Sequence, residues 1–175
     1  MVSLLPTVRT DSAYTIDYEK LYETGIRGII FDIDNTLVPH DAPADDRSRE
    51  LFARIHAAGI RTVILSNNGQ KRVKSFADDV NSAYIFKAAK PKREGFLLSM
   101  KKMETGRKST VLIGDQLFTD VLGASNAGIR SILVKRISFH EKFYIHLKRI
   151  LEYPVLFFFP VFRRKNSSEL EGALR

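Results

Sequence analysis

The sequence predicts an α/β fold, a single doubly wound (Rossmann-like) domain built on a five-stranded parallel sheet. Five short apolar runs rich in β-branched residues lie at 27–31, 61–65, 82–86, 109–113 and 130–134. They are continuously hydrophobic rather than alternating, as strands covered on both faces are. Segments with helical spacing separate them, so the order is βαβαβαβαβ, which closes through right-handed crossovers into a parallel sheet. The length agrees, because 175 residues can bury one sizeable core but leave little room for two full domains.

Residues 1–25 precede the first run, and within them IDYEKLYETG reads as one short helix stopped by Gly25 and expected to pack on the sheet edge. The strand at 27–31 runs into Asp32. A helix at 47–58 places Leu51 and Ile55 on one face and ends at Gly59, with Asp45 and Asp46 standing where its cap belongs. The strand at 61–65 runs into Ser66-Asn67-Asn68-Gly69, and a helix follows at 71–80 with Asp78 and Asp79 at its solvated end. After the strand at 82–86 come residues 87–90, then Pro91 just ahead of a helix at 93–103. The strand at 109–113 runs into Gly114-Asp115. A helix at 117–127 ends before Gly128, and the strand at 130–134 completes the set. The domain is read as 1–137, with no repeat, low-complexity tract or linker inside it.

Residues 138–175 form a tail of different character. The chain carries a net charge of +8, and from Lys135 to Lys165 there are eight basic residues against two acidic ones. Phe143, Leu147, Ile150 and Leu151 fall on one helical face, Pro154 stops that helix, and Val155 to Phe162 is apolar except for Pro160. A basic amphipathic helix followed by aromatics is the pattern of an anchor lying in an anionic membrane surface. Packing of the same aromatics on the sheet is the alternative.

Composition excludes several classes. There is no cysteine, so a disulfide scaffold, a thiolate metal site and a cysteine nucleophile are all ruled out, which suits a reducing compartment. The N-terminus lacks the apolar core of a signal peptide, and no stretch approaches the ~20 apolar residues of a spanning helix. A cytoplasmic protein, peripheral on the inner face of the membrane, is the expectation. The four histidines show no metal-ligand spacing.

Chemistry-bearing residues sit at the strand ends, where a doubly wound sheet binds its ligands. Asp32 and Asp34 in DIDNT are two carboxylates at the end of a buried strand, costly unless a cation or a reaction uses them. Taken alone they could be a turn and a cap. Ser66 and the adjoining Asn67 offer polar groups for phosphate oxygens, Lys90 offers a fixed positive charge, and GDQLFTD adds Asp115 and Asp120.

In order, DIDNT, LSN, KP and GDQLFTD resemble the four motifs of the haloacid-dehalogenase-like phosphatase superfamily, over residues 27–134. The resemblance implies that Asp32 is a nucleophile that becomes an aspartyl phosphate and Asp34 the general acid and base. Attack of a carboxylate on phosphorus requires negative charge on both partners to be neutralised, so a divalent cation is expected, and Mg²⁺ suits an all-oxygen site. Its ligands would be Asp32, the backbone carbonyl of Asp34, Asp115, and Asp120 directly or through water. Lys90 would pair with Asp32 and the phosphoryl group.

The gaps between motifs speak to substrate. Asp32 to Ser66 is 34 residues and Ser66 to Lys90 is 24, each filled by core elements, so neither holds the cap domain that encloses small substrates in other members. An open site suits a lipid head group, a nucleic acid end or a phosphoprotein. More closely, GIRGIIFDIDNTLVPHD, ILSNN, AAKPKREGF and LIGDQLFTDVLGASNAGI resemble the YqeG family of the capless subclass, related to mitochondrial and plastid phosphatidylglycerophosphate phosphatases. That resemblance implies dephosphorylation of phosphatidylglycerophosphate to phosphatidylglycerol, with a phosphorylated lipid and an anionic membrane as partners and nucleic acid not expected. A phosphatase of soluble or nucleic acid monoesters, and a non-catalytic module that grips RNA or a partner, are the readings left open.

Overall fold

The computed structural model describes residues 4–138 and 168–174. Six strands, β1 (Val8–Thr10), β2 (Gly28–Phe31), β3 (Arg61–Leu65), β4 (Ala83–Ile85), β5 (Thr110–Gly114) and β6 (Arg130–Val134), form one sheet in the order β1-β6-β5-β2-β3-β4. Every pairing is parallel. The five predicted strands are present, and the expected count of five is corrected to six. The added edge strand β1 pairs Val8 with Ile132 and Thr10 with Val134. It is three residues long with one buried apolar side chain, Val8, so it offers no hydrophobic run to detect.

Helices α1 (Tyr18–Glu23), α2 (Asp46–Ala57), α3 (Gln70–Asp79), α4 (Glu94–Met103) and α5 (Leu122–Ala127) connect the strands. Their signals explain them. Asp45 caps α2 by accepting from Ser48 N at 2.8 Å while Ser48 Oγ accepts from Asp45 N at 3.0 Å, a reciprocal box. Gly25, at φ +90°, lets the chain turn away after α1. The helix read at 117–127 is divided: Leu117–Val121 is a π-helical turn and only Leu122 onward is α-helical.

Strand residues alternate between two cores, as the period of two requires. Ile29, Phe31, Ile64, Val111, Ile113 and Ile132 face α1, α2 and α3. Ile30, Val63, Leu65 and Leu112 face α4 and α5 through Phe96, Met100 and Ala124. The second interface is close: a Cβ on Gly123 would lie 2.4 Å from the Phe96 ring. The edge position expected for α1 is taken by β1. Instead α1 buries Tyr18 and Leu21 in the first core and packs on α2 and the C-terminal turn.

That turn belongs to the core. A short helix α6 (Ser168–Glu171) leads into a 3-10 turn (Gly172–Leu174); Leu170 and Ala173 are buried, and Asp17 N donates to Ala173 O at 2.9 Å. Of the basic aromatic tail read as a surface anchor, 138–175, residues 139–167 lie outside the described residues. Among the described residues no helix is long and apolar enough to cross a membrane.

The sheet order reverses at β2, whose successors are β3 on one side and, later, β5 on the other. A crevice opens at such a reversal beyond the carboxyl ends of the strands. Neither loop at this end carries a cap domain.

Candidate active site

Four elements deliver four charged side chains to that crevice. Asp32 follows β2, and its N–H donates to Ile113 O at 3.1 Å, extending the β2–β5 ladder by one residue. Asp115 follows Gly114 at the end of β5. Lys90 ends a loop in which Lys87 (φ 46°) and Ala89 (φ 54°) are left-handed, a conformation that side-chain-bearing residues adopt only under local constraint. Asp120 comes from the π-helical turn, a device that adds a residue per turn and redirects side chains.

The four meet in the interior. Lys90 Nζ donates to Asp32 Oδ1 and to Asp120 Oδ1, both at 2.7 Å. Oxygens of Asp32, Asp115 and Asp120 lie within 4.8 Å of one another. All four residues are less than 10% exposed. Asp120 Oδ2 accepts from Gln116 N at 3.1 Å, and the Asp120 carboxyl lies so close to Gly114 that a Cβ there would stand 2.6 Å from it. Glycine is required at 114 for that contact.

Three carboxyl groups share a buried space with one ammonium. Burial raises the Asp32 carboxyl from 3.8 to about 7; Lys90 pulls it down, and Asp120 and Asp34 push it back up. For Lys90 burial acts to lower the pKa, yet the carboxylates of Asp120 and Asp32 outweigh it and the net direction is upward. The two directions look opposed, one favouring neutral Asp32 and the other an ion pair. They agree once the geometry is counted: one lysine between two carboxylates stays charged against Asp120 and leaves Asp32 under-compensated. A divalent cation held by Asp32, Asp115 and Asp120 would supply the missing charge with all-oxygen ligands, so the residues fit the group.

Asp34 occupies a different environment. Its Oδ1 accepts from Arg72 Nη2 and from Asp41 N, both at 3.1 Å, and its Oδ2 accepts from Asn68 Nδ2 at 2.5 Å. His40 Nδ1 is 3.7 Å from Oδ2. Asp34, His40 and Asp41 also bring three ligand atoms together, but this set is partly exposed and Arg72 already balances the Asp34 charge, so it lacks the uncompensated buried carboxylates of the first set. Asn35, at φ 62°, turns the loop. Its backbone oxygen and side-chain oxygen accept from Ile137 N and Ser138 N at 3.1 and 3.2 Å, tying the chain after β6 to the loop that follows β2.

Ser66 and Asn67 are at the end of β3, as expected, but their polar groups are engaged within the protein. Ser66 Oγ accepts from Asn68 N at 3.2 Å, and Ser66 N donates to Ile85 O at 3.1 Å, so these two amides do not stand open to a phosphate. Asn67 brackets the Lys90 backbone: Oδ1 accepts from Lys90 N at 2.8 Å and Nδ2 donates to Lys90 O at 3.3 Å. Its placement suits a brace for Lys90. Thr36 Oγ1 donates to Asp115 Oδ1 at 3.4 Å. Arg72 and Asn68 escaped the sequence reading: Asn68 lies inside the quoted ILSNN, whereas a lone arginine in an amphipathic helix carries no signal.

Residues 87–142 match the model of the HAD-hydrolase-like family. A curated protein of Bacillus subtilis (strain 168), "Probable phosphatase YqeG", is 39% identical over 153 residues, 87% of this chain and 89% of that protein. Among solved structures, the cobalt-bound form of deoxy-D-mannose-octulosonate 8-phosphate phosphatase from Haemophilus influenzae superposes with a TM-score of 0.53 at 13% identity, over 85% of this chain and 98% of that one. An uncharacterized protein from Listeria monocytogenes serotype 4b gives 0.51 at 15% identity, over 66% and 85%. At these identities the structures speak for the fold alone.

Proposed function

The chain belongs to the YqeG family of capless haloacid-dehalogenase-like phosphatases, and on that premise we propose that it is a Mg²⁺-dependent phosphatidylglycerophosphate phosphatase working through an aspartyl phosphate on Asp32. The observation that carries the reading is the buried set of Asp32, Lys90, Asp115 and Asp120, three carboxyl groups around one ammonium. Asp32, Asp115 and Asp120, with the backbone carbonyl of Asp34, would hold the cation. Bound there, it would neutralise the carboxylates and the incoming phosphate so that two anions can meet.

The residues then have separable tasks. Lys90 holds one Asp32 oxygen, orienting the carboxylate and offering positive charge to the phosphoryl oxygens as bond order shifts. A carboxylate oxygen of Asp32 bonds to phosphorus as the bond from phosphorus to the leaving oxygen breaks, and Asp34 gives that oxygen a proton. Asp34 next takes a proton from water as that water attacks phosphorus, which frees phosphate and restores Asp32. Asp34 must therefore exchange a pairing with Arg72 or Asn68 for the leaving oxygen. Separate surroundings for two carboxylates two positions apart are what separate roles require.

The lipid substrate is supported by the absent cap and by the composition of residues 139–167, whose basic and aromatic sequence suits an anionic membrane surface. A cytoplasmic enzyme peripheral on the inner face of the membrane accords with that and with the absence of cysteine. The test is phosphate release from phosphatidylglycerophosphate in vesicles, with Mg²⁺, by the full chain. Release that Asp32→Asn abolishes is expected; no release, or equal release by the variant, would end the proposal.

A further inference from the structure

A cleft of about 680 Å³ adjoins Asp34, with walls that include Asp41, Lys71, Arg72, Phe86 and Lys87. Three cations face one carboxylate there. Lys71 and Lys87 are exposed, and their side chains make no ion pair or hydrogen bond among the described residues. Arg72 reaches Asp34 through Nη2 alone, while its Nε is buried without a partner. A buried guanidinium N–H with no acceptor is unusual and invites one from a ligand.

The position of the cleft decides what that ligand is. Arg72 bridges cleft and site, since the residue that lines one holds the carboxylate of the other. In the reaction proposed above, Asp34 protonates the leaving oxygen, so whatever the leaving alcohol carries extends past Asp34 toward Arg72, Lys71 and Lys87. An apolar leaving group would gain nothing from these charges, whereas a second phosphate would pair with all three. As Asp34 turns to the leaving oxygen, Arg72 loses a partner and can take the second anion in its place.

We propose that this cleft binds a second phosphate carried on the leaving group, making the enzyme selective for phosphomonoesters with an additional phosphate a short carbon chain away. The inference rests on the reading of Asp32 and Asp34 as the transfer pair. It supplies the recognition of phosphatidylglycerophosphate that the four catalytic residues cannot, because its leaving group contains a phosphodiester joined through glycerol.

The test is equilibrium binding of two non-hydrolysable ligands to the full chain with Mg²⁺ by calorimetry. Pentane-1,5-bisphosphonate reproduces the spacing of the two phosphorus atoms, and pentylphosphonate lacks the second anion. The bisphosphonate is expected to bind about ten-fold or more tightly than the monophosphonate. In Lys71→Ala/Lys87→Ala that advantage should fall to about two-fold, while Lys101→Ala/Lys102→Ala, which removes equal charge elsewhere, should keep it. Equal affinity for the two ligands, no binding of either, or an equal loss in the Lys101/Lys102 pair would overturn the proposal. So would a larger loss in Lys92→Ala/Arg93→Ala, residues of a separate cleft on the other side of Lys87. Phosphate release measured in parallel keeps the two readings apart: the expected advantage without turnover of any ester sinks the phosphatase proposal and leaves the cleft standing, and turnover of the lipid without the advantage sinks the cleft alone.

Discussion

Replacing Asp32 by Asn should abolish activity and yet stabilise the metal-free protein at pH 8. The folded site raises the Asp32 carboxyl from 3.8 to about 7, the reverse of the usual salt-bridged aspartate. Well below pH 3.8 the group is protonated in both folded and unfolded chains and contributes nothing. As pH rises, the unfolded chain ionises first, so stability falls until the folded carboxyl ionises near pH 7, and above that the full penalty stands. A rise of this size corresponds to about 4 kcal/mol. Local relaxation reduces the penalty to roughly 2–4 kcal/mol, and Asn, similar in shape to a neutral carboxyl, avoids it. Lys90 keeps its pairing with Asp120, so no cation is stranded. For a chain of this size the gain is roughly 5–15 °C in Tm. Thermal unfolding in EDTA at pH 4.5 and pH 8 measures it, with the difference between variant and wild type growing toward pH 8. Millimolar Mg²⁺ should then raise the wild type more than the variant. A variant less stable than wild type at pH 8, or a difference that ignores pH, would refute the reasoning.

Other consequences follow from single contacts. Gly114→Ala places a methyl 2.6 Å from the Asp120 carboxyl, which must then move off Lys90; phosphate release should fall about 100-fold. Asn67→Ala removes both hydrogen bonds to the Lys90 backbone, and kcat should drop about ten-fold with little change in KM if Asn67 positions the lysine rather than the substrate. Leu170→Ala deletes a fully buried side chain and should cost about 2–4 kcal/mol in denaturant unfolding, although it lies beyond the basic segment.

The fold was legible because continuous apolar runs and helical spacing are written in adjacent residues. Asp32, Lys90, Asp115 and Asp120 were legible because each follows or adjoins a strand end, and a doubly wound sheet gathers such ends. Strand β1 was not, since a three-residue edge stabilised by Thr7 Oγ1 accepting from Ser131 N at 3.1 Å leaves no pattern in the sequence. The π-helical turn hid for a related reason: one extra residue in a helix breaks no spacing rule, yet it aims Asp120 at Lys90. Arg72 illustrates the larger gap. Its bond to Asp34 joins residues 38 positions apart, set by how α3 packs on the sheet and by nothing local. The return of Leu170 and Ala173 to the core is the same kind of long-range fact, invisible in a terminal segment without periodicity.

Rapid acid quench of the full chain with Mg²⁺ and a ³²P-labelled substrate that it hydrolyses tests the proposed chemistry most directly. Label should appear on the peptide containing Asp32, be released by hydroxylamine as an acyl phosphate is, and be absent from Asp32→Asn. Phosphate release with no label on the protein, or label on any other residue, would contradict the role given to Asp32.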